Sequence, residues 1–384
     1  MRGDDAASGA TTAADLAGRA RAWAAENPPP PGAGAGSRVP VDTEEESAWR
    51  AWTVGLHEAG LAVPHWPVAW GGEAAEPDQI RALTRVLRAA GMPLPLTSVA
   101  IDLVAPSVMS YGTSEQQQRH LTPIARGTGI WTQLFSEPGA GSDLAALRTR
   151  ATPRSDGSWV VTGQKVWSTY AQIAEWGYLL ARTGAQEERH RTLSMFLVPM
   201  GAAGITVRPI TEMTGDADFN EVFFEDVVLD ADALLGEVGQ GWAISMGTLA
   251  AERLVVGGLV LGLEAEYQRL LQVVRSLAET PDDMLVELAR TISEIDALVA
   301  LTEPGASFPT GFESAGKVLF SELNLELAQL GMELSARYPD SVPPGWARRW
   351  ADNYAYARGY TISGGASEVL RNVMAQRGLG LPRP

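Results

Sequence analysis

The chain of 384 residues has the composition of an ordinary globular protein, with 45% hydrophobic and 20% charged residues. Its formal net charge is −16 and its only lysines are Lys165 and Lys317, which excludes a basic surface for nucleic acid or membrane. The absence of cysteine excludes disulfides and cysteine nucleophiles. The four histidines share no metal-ligand spacing, so no metal site is predicted.

The length predicts two or three domains. The sequence has no run of about eighteen apolar residues, and its first residues carry acids where a secretory signal needs bases. These features predict a cytoplasmic protein without a membrane span.

Residues 1–42 are predicted to form a flexible N-terminal extension with one short helix near Ala13–Ala25. The loop NPPPPGAGAGSRVP follows, and its prolines and glycines disfavour regular structure. Within it, Gly32-Ala-Gly34-Ala-Gly36 resembles a dinucleotide-binding fingerprint. Because this segment follows prolines rather than a strand, a linker is favoured.

Beyond the loop the periodicity changes twice. Residues 43–127 repeat apolar positions at helical spacing, as in EEESAWRAWTVGLHEAGL. Residues 128–238 contain short β-rich runs between turns, such as SWVVTG, GYLLART and LSMFLVPM. In residues 239–384 helices are predicted near 242–278, 281–302, 312–335, 345–361 and 366–378. The predicted fold is α+β: an N-terminal all-α domain, a middle antiparallel β domain and a C-terminal α-helical bundle.

The β region carries the most specific pattern, in the segments WTQLFSEPGAGSDLAALRTRA (131–151) and GQKVWSTYAQIAEWGYLLART (163–183). In residues, order and spacing they resemble the flavin-binding middle of acyl-CoA dehydrogenases. Further blocks match this family in the same order, among them HWPVAWGG, GEVGQGW and GGASEVLRNVMAQRGLGLP. The resemblance covers about residues 45–384.

The resemblance implies an FAD site, and an isoalloxazine ring needs a flat apolar wall and hydrogen-bond donors at its polar edges. The strand Gln133–Ser136 would lie along the ring, with Ser136 at the pyrimidine edge. Ser142 would bind the pyrophosphate beside Gly139 and Gly141, which permit close backbone approach. The expected cofactor-binding residues are Gln133, Phe135, Ser136, Gly141, Ser142, Trp167 and Thr169.

In this set, Trp167 would pack on the flavin and Thr169 would donate a hydrogen bond near N5. Each motif has an ordinary alternative when taken alone. PGAGSD is often a simple turn, and a tryptophan in a strand is usually part of the core. The joint spacing with the flanking blocks favours the flavin site.

The α-proton of a thioester needs a carboxylate base, which most family members carry just before the Gly-Thr of a C-terminal Y-E-G-T-type run. The matching segment here is ISGGASEVLR, with Gly364 in place of that glutamate. Isovaleryl- and long-chain-type members instead carry the base in an E-R pair on the first long helix after the β domain. LAAERLVVGG places Glu252 in that register, and Arg253 resembles the arginine near the CoA end.

The helical pattern supports Glu252 independently. Position 252 lies on an apolar stripe made of Trp242, Met246, Leu249, Val256, Leu259 and Leu263. A carboxylate there is costly unless it is paired or has a task, and burial would raise its pKa toward that of a base working near neutrality. The alternative is a solvated or arginine-paired glutamate at the edge of the stripe. Glu368 is expected on the surface.

The predicted activity is FAD-dependent α,β-dehydrogenation of an acyl-CoA or carrier-bound acyl thioester to the 2-enoyl thioester. By the resemblance, Glu252 would take the α-proton and the β-hydride would pass to flavin N5. The Gly364 amide and a ribityl hydroxyl of FAD would stabilise the enolate oxygen. The expected partners are an electron-transfer flavoprotein and further copies of the chain, in a homodimer or homotetramer.

Two alternatives remain open. The first is a catalytically silent or FAD-poor subunit of a hetero-oligomer, because YQRLLQVVRSL lacks the Phe-Gly of the R-x-x-F-G run that usually reaches across subunits. The second is an acyl-CoA oxidase-like flavoenzyme, which passes its electrons to oxygen.

Overall fold

A computed structural model of the chain defines residues 12–33, 39–277, 279, 282–303, 305–306 and 308–382, without the side chains of 248–256. The first region is helical: α1 (Ala13–Glu26), α2 (Thr43–Glu58), α3 (Pro77–Ala89), α4 (Ala105–Tyr111) and α5 (Ser114–Ala125). Thr12 and Thr113 cap α1 and α5, where each exchanges hydrogen bonds with the third helical residue. A π-helical turn, Ala100–Val104, leads into α4.

Helix α1 corrects the expectation of a flexible extension. Its residues Leu16 and Ala20 are fully buried and share a core cluster with Trp52 and Leu83. Arg19 also pairs with Glu73 at 2.6 Å. Its apolar side is therefore covered by the neighbouring helices, so α1 is part of the N-terminal region. Residues 1–11 and the stretch 34–38, which includes most of the predicted glycine linker, lie outside the described residues.

Within the described residues, the middle region is one sheet of eight strands. They are β1 (Trp131–Leu134), β2 (Arg150–Pro153), β3 (Trp159–Lys165), β4 (Trp176–Arg182), β5 (Leu193–Pro199), β6 (Ile205–Ile210), β7 (Phe219–Leu229) and β8 (Leu234–Leu235). The strand order is β6-β7-β3-β2-β4-β5-β8, and β1 also pairs with β4. The central strand β4 is buried almost throughout.

The sheet is mixed, which corrects the expectation of a purely antiparallel domain. Most neighbouring strands are antiparallel, but β1 runs parallel to β4 with Trp131 opposite Trp176. Strand β2 also meets β4 in parallel, at Arg150 and Arg182. Alternation of apolar residues sets the face that each side chain occupies and carries no information about strand direction. The short strands β2 and β8 were not predicted because neither is long enough to show alternation.

The C-terminal region is a helical bundle of α6 (Gly241–Ser276), α7 (Asp282–Leu301), α8 (Ala315–Arg337), α9 (Trp346–Tyr360) and α10 (Ser367–Arg377). These bounds agree with the predicted helices to within three residues. Helices α6 to α9 bury a common core that includes Leu263, Leu288, Leu327 and Trp350. Among the described helices, none is long and apolar enough to cross a membrane.

Helix α6 starts directly on the sheet. A Cβ added to Gly241 would lie 2.7 Å from backbone atoms of Ser194 on β5, so a larger residue cannot occupy this position without a shift. Ile244 is fully buried in a cluster with Val104 and Val108 of the N-terminal region. The first turns of α6 therefore join all three regions.

Candidate active site

The segment after β1 forms a tight turn that leads into an exposed glycine-rich stretch. Glu137 and Ala140 exchange both backbone hydrogen bonds, with N···O distances of 3.1 and 3.0 Å. A Cβ added at Gly139 or Gly141 would meet no atom within 4 Å, and Ser142 is exposed. The stretch therefore offers an open backbone face to a ligand.

A buried ion pair holds this turn in place. The Lys165 ammonium is fully buried and donates to the Phe135 carbonyl at 2.9 Å and to a Glu137 carboxylate oxygen at 2.8 Å. Glu137 also accepts the amides of Arg148 and Thr149 at 2.7 and 2.8 Å. Burial lowers the pKa of Lys165 to about 8. Burial opposes charge on Glu137 too, but Lys165 and the hydrogen bonds hold the pKa of Glu137 below its ordinary value.

The segment after β3 lies beside the end of β1, because the Val166 amide donates to the Ser136 carbonyl at 2.9 Å. Trp167 follows with a left-handed φ of 62° and is 59% exposed, its ring edge-on to Phe219. Such a backbone conformation is unfavourable for a residue with a Cβ, and strain of this kind is often found at binding sites. An exposed aromatic held in this way is suited to form a wall for a flat ligand.

Asn220 of β7 fixes the turn that carries Trp167 and Thr169. Its side-chain amide nitrogen is buried and donates to the Ser168 carbonyl at 2.9 Å, while the backbone carbonyl of Asn220 accepts the Ser168 amide at 3.1 Å. The sequence analysis assigned no role to Asn220. The available signal was an asparagine at a position of β7 that alternation predicts to be buried, because a buried amide needs partners.

The structure brings some of the predicted cofactor-binding residues close together. Ser136 lies beside the segment that carries Trp167. Gln133 is half-buried on β1, the strand that leads to Ser136. Phe135 differs: it is 7% exposed and its ring packs on Tyr178, with centroids 5.5 Å apart. Its side chain therefore faces the core, and only its backbone is left for a ligand.

These features fit FAD. The exposed ring of Trp167 and the half-buried Ser136 would meet the flat ring and its polar edge. The open stretch Gly139–Ser142 permits the close backbone approach that a pyrophosphate requires.

The C-terminal segment between α9 and α10 is a tight turn built on two glycines. The Ser367 amide donates to the Thr361 carbonyl at 2.9 Å and closes the turn. Gly364 and Gly365 have φ values of 64° and 102°, a region that residues with a Cβ disfavour. Lys317 of α8 donates to the Gly365 carbonyl at 2.7 Å and anchors the turn to the bundle. A glutamate at position 364 would be strained in this conformation.

Glu252 and Arg253 lie in α6, and their side chains are outside the described residues. The helix register still places the backbone of position 252. It is seven residues after Ser245 and eleven before Leu263, and both intervals are close to whole numbers of turns. Position 252 therefore shares the register of Ser245 and Leu263, which are 0% and 2% exposed.

The predicted apolar stripe of α6 is only partly described. Trp242 is partly buried, whereas Met246 is 37% exposed. The side chains of Leu249 and Val256 lie outside the described residues. Met246 differs from the prediction because the first turns of α6 direct the face of Ile244 into the core.

Asp102 is an acid in the π-helical turn that leads into α4. Burial raises its pKa to about 7 from an ordinary value of 3.8, against the opposing attraction of Arg88. The folded chain therefore holds this proton more tightly than the unfolded chain does. The stability that Asp102 contributes is present below about pH 4 and is lost as the pH rises to about 7.

We expect an Asp102→Asn variant to be free of this decrease in stability between about pH 4 and about pH 7. The free energy of unfolding of the variant, relative to the wild type, should rise from about pH 4 to about pH 7 and stay constant above that range. Urea denaturation followed by circular dichroism at a series of pH values measures this difference. If the two stability curves run parallel across the range, Asp102 does not titrate as described.

Comparison with known proteins gives a consistent result along the chain. Models of the acyl-CoA dehydrogenase N-terminal, middle and C-terminal domains match residues 15–128, 132–227 and 239–379. The acyl-CoA dehydrogenase IpdE1 of Mycobacterium tuberculosis is 37% identical over 343 residues, which are 87% of this chain and 88% of that protein.

Two solved structures share the whole fold. The Tcur3481-Tcur3483 steroid ACAD has a TM-score of 0.84 and 25% identity, covering 97% of this chain and 98% of the other. The ChsE4-ChsE5 complex from Mycobacterium tuberculosis has a TM-score of 0.79 and 27% identity, again covering 97% and 98%.

The fold and these matches define an FAD-dependent oxidoreductase that acts on CH–CH bonds. The chain belongs to the acyl-CoA dehydrogenase family. The general activity of the family is the dehydrogenation of acyl-CoA thioesters in lipid metabolism, with FAD as the cofactor.

Proposed function

We propose that this chain converts an acyl thioester to its 2-enoyl thioester with Glu252 as the base and the Gly364 amide as a hydrogen-bond donor to the thioester oxygen. The C-terminal turn is the observation that carries this proposal. Gly364 stands there in a left-handed conformation, and Glu368, the nearest acid in the segment, is exposed on the first turn of α10. The proposal therefore takes the base from another element, and position 252 of α6, which shares the register of the buried residues Ser245 and Leu263, supports Glu252.

The proposed chemistry divides the work between two elements of the chain. Glu252 takes the α-proton onto its carboxylate while the Cα–Cβ double bond forms. The Gly364 amide meets the charge that develops on the thioester oxygen, and a donor of this kind contributes about 3 kcal/mol to the transition state. Bound FAD supplies the two-electron oxidant that accepts the β-hydrogen. Arg253, next to the base, is proposed to bind the CoA end of the substrate.

The remaining FAD contacts are proposed for residues in β1 and in the segments that follow β1 and β3. The strand Gln133–Ser136 would line the ring through its backbone and the Ser136 hydroxyl. Trp167 would cover the ring and Thr169 would donate near its N5. Gly141 and Ser142 would hold the pyrophosphate. An electron-transfer flavoprotein is the proposed acceptor of the electrons.

Anaerobic titration of the purified, yellow protein with a panel of acyl-CoAs tests the proposal. A substrate should bleach the flavin absorbance as the cofactor is reduced, and the 2-enoyl-CoA should appear in equal amount. Short, long, branched and polycyclic acyl groups should all be included, because the residues above do not specify the length or shape of the acyl group. If none of these thioesters bleaches a stoichiometrically bound flavin, the proposed dehydrogenation is wrong.

A second candidate is one subunit of a hetero-oligomer in which a different chain completes the FAD site. Arg269 lies in the region that corresponds to the subunit-crossing run of the family. Its side-chain hydrogen bonds are made within this chain. Its guanidinium donates to Glu266 at 2.5 Å and to the carbonyls of Arg88 and Ala89 at 2.8 and 3.2 Å. Similar solved proteins include the ChsE4-ChsE5 complex of two different chains.

The flavin content of the chain purified alone separates the two candidates. One FAD for each chain in a homo-oligomer supports the first. A colourless protein that becomes yellow only after co-expression with a neighbouring family member supports the second. Size-exclusion chromatography with absorbance at the flavin and protein bands reports both quantities in one experiment.

A further inference from the structure

The segment that carries Trp167 and Thr169 is a turn with an unusual backbone. Trp167 and Tyr170 both have left-handed φ values, 62° and 65°, although each carries a Cβ. Such conformations are disfavoured for residues other than glycine, and two of them so close together require support from the surrounding structure. The contacts that hold this turn therefore decide where the exposed ring of Trp167 lies.

The backbone ladder between β3 and β7 ends just before this turn. Its last pair is Lys165 opposite Val222. Asn220 precedes Val222 by two residues on β7 and lies on the same face as Val222 and Phe224, and all three are buried. Alternation predicts an apolar side chain at such a position. An amide there must find partners, because an unpaired polar group in the core is costly.

The amide of Asn220 supplies hydrogen bonds where the ladder stops. Its side-chain nitrogen donates to the Ser168 carbonyl at 2.9 Å and to the Gln172 side-chain oxygen at 2.5 Å. The Ser168 amide donates in turn to the backbone carbonyl of Asn220 at 3.1 Å. Gln172 also donates to the Ala217 carbonyl, at 2.9 Å. One amide group therefore joins two positions of the turn to β7.

The end of the turn is held by a different set of contacts. The Tyr170 side chain is fully buried in a cluster that includes Trp49 of α2. Arg50 of α2 donates to the Ile173 carbonyl at 3.0 Å. The N-terminal region therefore holds the end of the turn, whereas Asn220 holds its beginning, next to Trp167.

We propose that Asn220 is a positioning residue for the flavin, and that it sets the Trp167 ring and the Thr169 hydroxyl against the isoalloxazine through this turn. The inference rests on the proposed function, which assigns flavin contacts to those two residues. Without the amide, the turn relaxes from its left-handed conformation, and only a fraction of the apoprotein holds the geometry that binds. FAD then binds more weakly in proportion to that fraction.

The test measures FAD affinity and flavin fluorescence in the full chain. Apoprotein is titrated with FAD in a calorimeter, and the fluorescence of the bound flavin is recorded at saturation. Asn220→Leu keeps nearly the same side-chain volume and removes the side-chain hydrogen bonds. We expect its Kd for FAD to rise about 30-fold, which corresponds to about 2 kcal/mol, or two hydrogen bonds. The bound flavin should also become more fluorescent, because a tryptophan that moves away from the ring quenches it less.

Val227→Ala is the matched control for a loss of stability. Val227 is a fully buried residue of the same strand, β7, and its truncation leaves a cavity in the core of the sheet. This variant should lose stability and keep the wild-type Kd for FAD and the wild-type flavin fluorescence. Equal changes of both quantities in Val227→Ala and Asn220→Leu would mean that Asn220 has a general structural role, which overturns the proposal.

A double-mutant cycle tests whether Asn220 acts through Trp167. In a Trp167→Ala background the ring that Asn220 positions is absent, so Asn220→Leu should lose most of its effect on the Kd for FAD. Groups that act on one contact are not additive, whereas independent sites add. Full additivity of the two changes would contradict the proposal.

Gln172→Leu covers the case in which Asn220→Leu fails to fold. Gln172 is exposed, and its replacement removes one hydrogen bond of the Asn220 amide. It should raise the Kd for FAD about 5-fold, and this increase should again shrink in the Trp167→Ala background. An increase that stays the same in that background would contradict the proposal.

The outcomes separate this inference from the proposed function. Wild-type FAD affinity and fluorescence in both Asn220→Leu and Gln172→Leu would overturn the positioning role and leave the flavin site intact. If the wild-type chain binds no FAD, either alone or after co-expression with another family member, the proposed flavin site fails, and the role of Asn220 fails with it.

Discussion

The Glu252→Gln variant is expected to lose about 100- to 10,000-fold in kcat, while its FAD content stays at the wild-type level. A glutamine has nearly the same size and cannot accept the α-proton. The residues proposed to bind the flavin follow β1 and β3, and the C-terminal turn is anchored by Lys317, so we expect neither to depend on this carboxylate. Single-turnover bleaching of the flavin under anaerobic conditions measures the chemical step directly.

The matched control for this variant is Glu368→Gln. Glu368 is exposed on the first turn of α10, four residues after Gly364, and is the nearest acid in that segment. Its replacement should leave bleaching unchanged. Loss of activity in Glu368→Gln, with full activity in Glu252→Gln, would move the base to the C-terminal segment and refute the proposed mechanism.

Removal of the buried ammonium in Lys165→Met is expected to lower the free energy of unfolding by about 3–5 kcal/mol. The reason is that Glu137, which is 8% exposed, would keep its charge without the ammonium that is hydrogen-bonded to it. The Phe135 carbonyl would lose its donor at the same time. Because these contacts hold the end of β1, we also expect weaker FAD binding and a larger fraction of apoprotein. Urea denaturation and flavin-to-protein absorbance measure the two effects.

The exposed pair between Arg189 and Asp143 provides the comparison. Its side chains are 55% and 61% exposed. Asp143 lies on the same segment after β1, and Arg189 lies between β4 and β5. Exposed pairs contribute at most about 1 kcal/mol, so Arg189→Met should change stability little and leave FAD bound. If Arg189→Met and Lys165→Met destabilise the protein equally, burial is not what makes the Lys165–Glu137 pair important.

In the candidate site, some features were predicted from the sequence and others were not. The resemblance pointed to Ser136 and Trp167, and the structure places their segments side by side. Nothing in the resemblance indicated that Lys165 is fully buried, because a lysine in a strand ordinarily points to solvent. Phe135 was among the predicted cofactor-binding residues, and its side chain packs on Tyr178 in the core. Which face of a short strand meets a ligand depends on what packs against the other face.

The amino-acid sequence by itself determined the succession of helices, sheet and helices, and the bounds of α6 to α10 within three residues. Hydrophobic period, turn residues and caps are local properties, so they can be read along the chain. Only the tertiary structure decided that α1 docks on the N-terminal helices and that β1 runs parallel to β4. It alone brings the segments of Ser136 and Trp167 side by side, because contacts between distant elements depend on how whole faces pack, and no local period encodes that packing.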